Sequence, residues 1–194
     1  SPAEIARAHG ALVVRVPHRQ IAATPTAGAR AAGGEVLVFV DADTLVHETL
    51  VRLALQALRS GAVGGGTVVR FDGDMPLYAR AMVPLVVKLL QVSRMAAGCF
   101  VFCKRSAFEA VGGFDEAYFA AEELRLSQAL KRQGKFVILR EPVLSSGRKL
   151  RTHSAREMLT LFGHLFRGGL GAVKQRRGLD LWYAQRREDP HQKG

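Results

Sequence analysis

Gly34-Glu35-Val36-Leu37-Val38-Phe39-Val40-Asp41-Ala42-Asp43 is the stretch on which the reading of this chain turns. Five apolar residues, Val36 to Val40, run without a polar break. Such a run suggests a strand covered on both faces, as in a parallel sheet. Two carboxylates follow at once, one alanine apart. They cannot enter an apolar core, because a buried charge is costly unless paired or bound to metal. They belong instead at the C-terminal end of the strand, where ligands collect in open α/β sheets. Hard divalent ions take oxygen ligands, often one or two carboxylates plus substrate phosphates. Asp41 and Asp43 are therefore candidate ligands for a metal–diphosphate pair. The same spacing also suits a solvated turn or the cap of a following helix.

Working outward, Ser1-Pro2 suits a helix start and Gly10 its end. Residues 11–16 read as a strand, and the Ala-rich residues 19–33 as helix, with a restart at Thr24-Pro25. Downstream, residues 46–59 have helical spacing, with Leu50, Leu53, Ala54, Ala57 and Leu58 on one side. Residues 62–71 suggest a strand loosened by Gly64-Gly65-Gly66, and residues 75–95 a helix kinked near Pro84. Gly98 to Cys103 is another apolar run, followed by a short helix over 105–111 and a longer one from Phe119 to Gln133. Phe136–Leu139 and Val143-Leu144 read as two short strands around Pro142. Strand and helix alternate, which predicts an α/β layer with a mostly parallel sheet.

Composition sets the outer limits. The chain has 194 residues, 48% hydrophobic and 23% charged, which fits one globular domain with a short appendage. A disordered chain, a collagen and a disulfide scaffold are excluded. Cys99 and Cys103, four apart on a strand, would lie about 13 Å apart, too far for a disulfide. They read as buried free thiols, and nothing calls for an oxidising compartment. The longest apolar stretch, Ala81 to Val92, is broken by Pro84 and Lys88 and is too short to span a bilayer. The formal net charge is +11, and it is uneven: residues 1–130 carry +1 and residues 131–194 carry +10. The second part would seek anions such as phosphates, nucleic acid or an acidic membrane face.

Two further clusters could carry chemistry. Glu122 and Glu123 stand at a helix start, where acids suit the helix dipole and where a semi-enclosed carboxylate can also act as general base. Arg148-Lys149-Leu150-Arg151 follows Ser145-Ser146-Gly147, and a Gly-containing loop with cations can hold phosphate oxygens or simply be solvated. Other templates fail. Gly64-Gly65-Gly66 is followed by Thr67-Val68-Val69 with no lysine, so there is no Walker motif, and no nucleophile elbow occurs. The six histidines show no metal-ligand spacing.

Three segments in order resemble the family 2 glycosyltransferases. The first is Gly34 to Asp43, similar to the family's Asp-x-Asp strand. The second is Gly98 to Glu116, which ends in Gly112-Gly113-Phe114-Asp115-Glu116. The third is Phe119-Ala120-Ala121-Glu122-Glu123-Leu124-Arg125-Leu126, where the family has an acidic pair. The resemblance covers about residues 1–150. It implies a GT-A-like, Rossmann-like fold with a mostly parallel central sheet flanked by helices. It also implies a catalytic domain over 1–153 that lacks its N-terminal first strand, and a basic, partly amphipathic extension over 154–194. A nucleotide-diphosphate sugar donor, Mg²⁺ or Mn²⁺, and inversion at the anomeric carbon come with it. Asp43 would ligand the metal and Asp41 the metal shell or the nucleotide ribose. Glu123, with Glu122 beside it, would be the catalytic base. Arg148 and Lys149 would face the departing diphosphate, with Gly98 also on the substrate side.

The sequence departs from the family pattern at two places. The acidic pair is Glu-Glu where the family usually has Glu-Asp, and Pro25-Thr26 stands where it has Arg-Asn. In the tail, Met158, Leu161, Phe162, Leu165 and Phe166 share one helical side with cations nearby, which suits peripheral contact with an anionic membrane or packing on the domain. The acceptor would be a saccharide or lipid-linked hydroxyl, and the protein cytoplasmic, reaching the inner membrane face. Two alternatives stay open. One is a degenerate, non-catalytic module binding anionic membrane or nucleic acid. The other is a nucleotidyltransferase. Nucleic acid is the poorer fit, since Trp182 and Tyr183 stand alone rather than interleaving with cations.

Overall fold

A computed structural model describes residues 1–16, 22–96, 98–118 and 121–160. Ser1 and Glu4 form a capping box at the start of α1 (Pro2–Ala8), whose second residue, Ala3, follows a proline that needs no donor there. Residues 11–16, expected as a strand, carry no regular structure. A strand needs a ladder partner, and no described strand pairs with this segment. The Ala-rich helix α2 spans Ala23–Ala31 and ends two residues before the expected 33; residues 19–21 of the expected helix lie outside the described residues.

The remaining elements are β1 (Val36–Val40), β2 (Thr44–Leu45), α3 (Glu48–Arg59), β3 (Gly64–Phe71), α4 (Leu77–Ser93), β4 (Phe100–Lys104), α5 (Arg105–Ala110), α6 (Glu122–Gln133), β5 (Phe136–Ser145) and α7 (Arg148–Thr152). The five strands form one sheet in the order β1-β4-β3-β5-β2. β1 with β4, β4 with β3, and β5 with β2 are antiparallel; β3 with β5 is parallel. The expected mostly parallel sheet is thus overturned: it is mostly antiparallel. An unbroken apolar run reports that both faces of a strand are covered, not which way its neighbour runs.

Both faces are covered at β4, whereas β1, expected to be covered on both, is an edge strand that buries Leu37 and exposes Val38 and Val40. Val101 and Cys103 of β4 join Leu37, Phe108, Leu126, Leu130 and Phe136 in one core. Phe100 and Phe102 point the other way, against Leu50, Ala54 and Leu58 of α3 and Val143. Each fully buried aromatic or leucine contributes about 1.5–3 kcal/mol of transfer free energy. A third cluster joins Ala79 of α4, Leu150 of α7 and Met158, with Tyr78 and Met82 against it. Residues 155–160 are helical, so the start of the expected extension packs on the domain. Leu161, Phe162, Leu165 and Phe166 lie outside the described residues.

Two local features bear on the site. β5 is one strand, not the two short ones expected around Pro142. Between Leu139, paired with Thr67, and Val143, paired with Val69, it carries two extra residues as a bulge. Pro142, which has no N–H to give, sits in that bulge. The Thr67 hydroxyl donates to the carbonyls of Leu139 and Glu141 and closes it. Arg105, heading α5, donates to the carbonyls of Ala29, Ala32 and Gly34 at 3.0, 2.7 and 2.6 Å, so it pins the end of α2 and the entry to β1. Among the described residues, no helix is long and apolar enough to cross a membrane.

Candidate active site

The antiparallel pairing of β1 and β4 builds the site. Val40, the last residue of β1, lies opposite Phe100, the first of β4. The acidic tip after β1 therefore meets the segment that leads into β4, and the Asp41 amide donates to the Cys99 carbonyl at 3.4 Å. A parallel neighbour would have brought the far end of that strand to Asp41 instead. The turn continues with the Thr44 amide donating to the Asp41 carbonyl at 3.1 Å. β2 then pairs Thr44 with Ser145 at the end of β5, and the two hydroxyls are 3.0 Å apart.

The segment before β4 is held from both sides. Gly66 of β3 has no side chain, and a Cβ there would lie 2.5 Å from the Ala96 Cβ. Ala96 is fully buried in that space, and its amide donates to the buried Ser127 hydroxyl of α6 at 3.0 Å. The same helix starts with Glu122 and Glu123, after Ala121 in the left-handed region at φ 59°. Fixing Ala96 to α6 thus brings Gly98 against the acidic pair. A Cβ on Gly98 would lie 2.8 Å from Glu123 Oε1 and 3.8 Å from Asp41 Oδ2. Gly98 is needed here for space, and the two acidic groups expected from sequence meet beside it.

The charges gathered here act on one another. Burial raises the Asp41 carboxyl, Asp43 raises it further, and Lys149 lowers it. Glu122 is 3% exposed and is pushed up by burial, with Asp41 adding to the rise and Lys149 opposing it. Glu123 keeps part of its surface open, yet protein surrounds it densely enough to push it up to about 8. Burial is the main cause, followed by the charges of Glu122 and Asp41. The two glutamates share a hydrogen bond, so they titrate as a pair. The Cys99 thiol hydrogen-bonds Ser145 and is raised by burial and by the charges of Asp41, Asp43 and Glu123. Cys103, inside β4, is pushed up to about 12 by burial alone, and both thiols are free.

Among the residues expected from sequence, Asp41, Asp43, Glu122, Glu123, Gly98 and Lys149 come together. Arg148 opens α7 and shows no ionic contact with this group among the described residues. Arg151 is turned away, 6% exposed and paired with Asp72 at 3.1 Å. Ser145, expected only as part of the loop before the basic stretch, instead bonds both the Asp41–Thr44 turn and Cys99, and Asp72 is a residue that the sequence does not single out. The Asp72-Gly73-Asp74 turn directly after a strand was the available signal. Among the described residues, no three His, Cys, Asp or Glu side chains close into a metal-binding group. Asp41 and Asp43 offer two hard oxygen donors, and the four clustered carboxylates leave a negative excess. That fits a divalent cation whose other ligands come from a diphosphate and water.

The model of glycosyl transferase family 2 matches residues 1–112, more than half of the chain. The chain belongs to that family. The match takes in Asp41, Asp43 and Gly98 and stops before Glu122 and Glu123. No curated protein matches the sequence. In structure, the chain is similar to a mannosyltransferase from Pyrobaculum calidifontis solved in complex with GDP-Man and Mn²⁺. The TM-score is 0.63 at 17% identity, over 86% of this chain and 48% of the mannosyltransferase. The family 2 domain thus has the GT-A fold and spans about half the length of that relative.

The closeness at Gly98 predicts a separation of folding from activity. Gly98→Ala should fold, since the nearest obstacle is the end of a side chain. It should also displace the Glu123 carboxyl and lower turnover about 100-fold, within the range for a misplaced catalytic group. A melting curve and a turnover assay on the same sample check this. Turnover equal to that of the parent would show that Glu123 has no need of its present position.

Proposed function

We propose that this family 2 domain transfers a sugar from a nucleotide-diphosphate donor to an acceptor hydroxyl, with inversion at the anomeric carbon. The observation that carries the proposal is the approach of both Asp41 and Glu123 to the same point beside Gly98. Asp43, with Asp41, would hold Mg²⁺ or Mn²⁺. When bound, that ion supplies positive charge to the diphosphate. Lys149 adds a second cation at the same side, with Arg148 next to it at the start of α7. Glu123 takes the proton from the acceptor hydroxyl. Its raised pKa suits that role, because a general base works best with a pKa near the working pH. Glu122 holds the neighbouring carboxyl and sets the charge on the pair. The acceptor oxygen forms its bond to C1 as the bond from C1 to the diphosphate oxygen breaks, and the leaving group departs as the nucleoside diphosphate.

The relative's GDP-Man makes a GDP-sugar the first donor to try, beside UDP-sugars. The +10 charge of residues 131–194 makes an acceptor at an anionic membrane the first acceptor class to try. The test is release of nucleoside diphosphate from GDP- and UDP-sugars with Mn²⁺ or Mg²⁺, with and without saccharide or lipid-linked acceptors. Turnover with one donor that stops on chelation supports the reading. A chain that binds no nucleotide sugar but pellets with anionic vesicles would support the non-catalytic alternative.

A further inference from the structure

Lys149 needs a reason to stay beside Asp41 and Glu122. It is exposed, on a flexible stem, in a helix of only five residues. The reason lies on the other side of that helix. Asp72 follows the last residue of β3, and its amide donates to the Ser145 carbonyl at 3.0 Å. Its Oδ1 accepts the Gly147 amide at 2.7 Å and both terminal nitrogens of Arg151 at 3.1 and 3.2 Å. Its main-chain carbonyl accepts Arg151 Nη1 at 2.5 Å. The turn is packed as well as bonded. A Cβ on Gly147 would lie 2.6 Å from Arg151 Nη1 and 2.7 Å from the Asp72 carbonyl, and one on Gly73 would lie 2.8 Å from the same guanidinium. Tyr78 adds a hydroxyl bond to the Leu150 carbonyl at 2.5 Å and one to the His153 carbonyl at 3.0 Å.

We infer that Asp72 is a positioning residue for Lys149: by fixing Gly147 and Arg151 against the end of β3, it holds the Lys149 ammonium at the diphosphate side of the site. The inference rests on the proposed role of Lys149. Both terminal nitrogens of Arg151 on Oδ1, with Nη1 also on the Asp72 carbonyl, fix orientation as well as distance, which a single contact does not. Ser145 ties this clamp to the acidic tip, because it bonds Asp72 through its carbonyl and Thr44 through its hydroxyl. Arg151, the last cation of the basic stretch, is thereby used inside the protein rather than on a ligand.

The test is a double-mutant cycle between Asp72→Asn and Lys149→Met, read by calorimetry with GDP and with UDP in Mn²⁺. Asn is isosteric and keeps the acceptor for Gly147, but it loses the charge that Arg151 needs. Lys149→Met should weaken diphosphate binding about 10-fold and Asp72→Asn about 5-fold, as expected for charge-assisted contacts. The double variant should bind no worse than Lys149→Met, since residues acting through one contact are not additive. Arg151→Lys, which keeps the charge and loses the fork, should behave like Asp72→Asn. Hydrogen exchange over residues 146–153 should quicken in Asp72→Asn with or without ligand. A double variant showing the full product, about 50-fold, would make Asp72 a structural residue only. Unchanged exchange over 146–153 would also overturn the inference. Unchanged affinity in Lys149→Met alone would instead remove the diphosphate role of Lys149, and the inference with it.

Discussion

Glu123→Gln should lower turnover by about 10³-fold, within the range for losing a general base, and leave donor binding close to that of the parent. The amide has nearly the same shape and cannot accept the proton. The same substitution has a second signature that needs no substrate. In the folded protein Glu123 holds its proton up to about 8, against an ordinary value of 4.5. The folded state therefore binds more protons than the unfolded one between these values, and stability falls as pH climbs through that window. Gln resembles the protonated form at every pH. In metal-free protein, Glu123→Gln should melt higher than the parent at pH 8 and equal to it at pH 4. Equal melting at pH 8 would mean that the carboxyl is not held in a desolvated, acidic setting. Turnover within a few-fold of the parent would move the proton acceptor elsewhere, with Glu122→Gln as the next variant to assay.

Asp43→Ala should remove turnover to the same degree, about 10²–10³-fold, by a different route. It takes away one of two hard oxygen donors, so Mn²⁺ affinity in the presence of nucleoside diphosphate should fall with it. It also relieves Asp41, whose carboxyl Asp43 now raises. The two variants thus separate cleanly: Glu123→Gln loses the chemical step and keeps donor binding, while Asp43→Ala loses both. Full turnover in Asp43→Ala would leave the acidic tip as a helix-side turn and remove Asp43 as a metal ligand; absence of turnover in the parent as well as in the variant would return the non-catalytic reading to the front.

How far the sequence could be read follows from what each signal reports. The Val36–Val40 run and its carboxylates reported a strand with an acidic exit, and both are present, but the strand lies at the sheet edge with Leu37 buried and Val38 and Val40 exposed, not covered on both faces. The Glu122–Glu123 pair reported a helix start, and α6 starts there. Those signals are local, so one segment is enough to carry them. The direction of β4 is not local. It depends on where the chain turns after α4, and no residue of the apolar run encodes it. The closeness at Gly98 was hidden for the same reason, because it follows from that direction and from Ala96 fitting against Gly66. The Asp72 clamp joins residues 75 or more apart in the chain, and each of them alone looks like a surface charge. The Pro142 bulge was misread as a break, since a proline signals a missing donor without saying whether the strand resumes beyond it.

Gly64, Gly65 and Gly66 leave the start of β3 bare, and the neighbours have grown into the vacancy. The Phe102 ring lies where a Gly65 side chain would start, and the Cys103 backbone and Cβ crowd Gly64. Along these three residues bulk is supplied by the flanking strands and β3 supplies only backbone. Side chains therefore have no foothold at these three positions. An atom added there would press on β4 or β5, and through β4 on the peptide that carries Gly98.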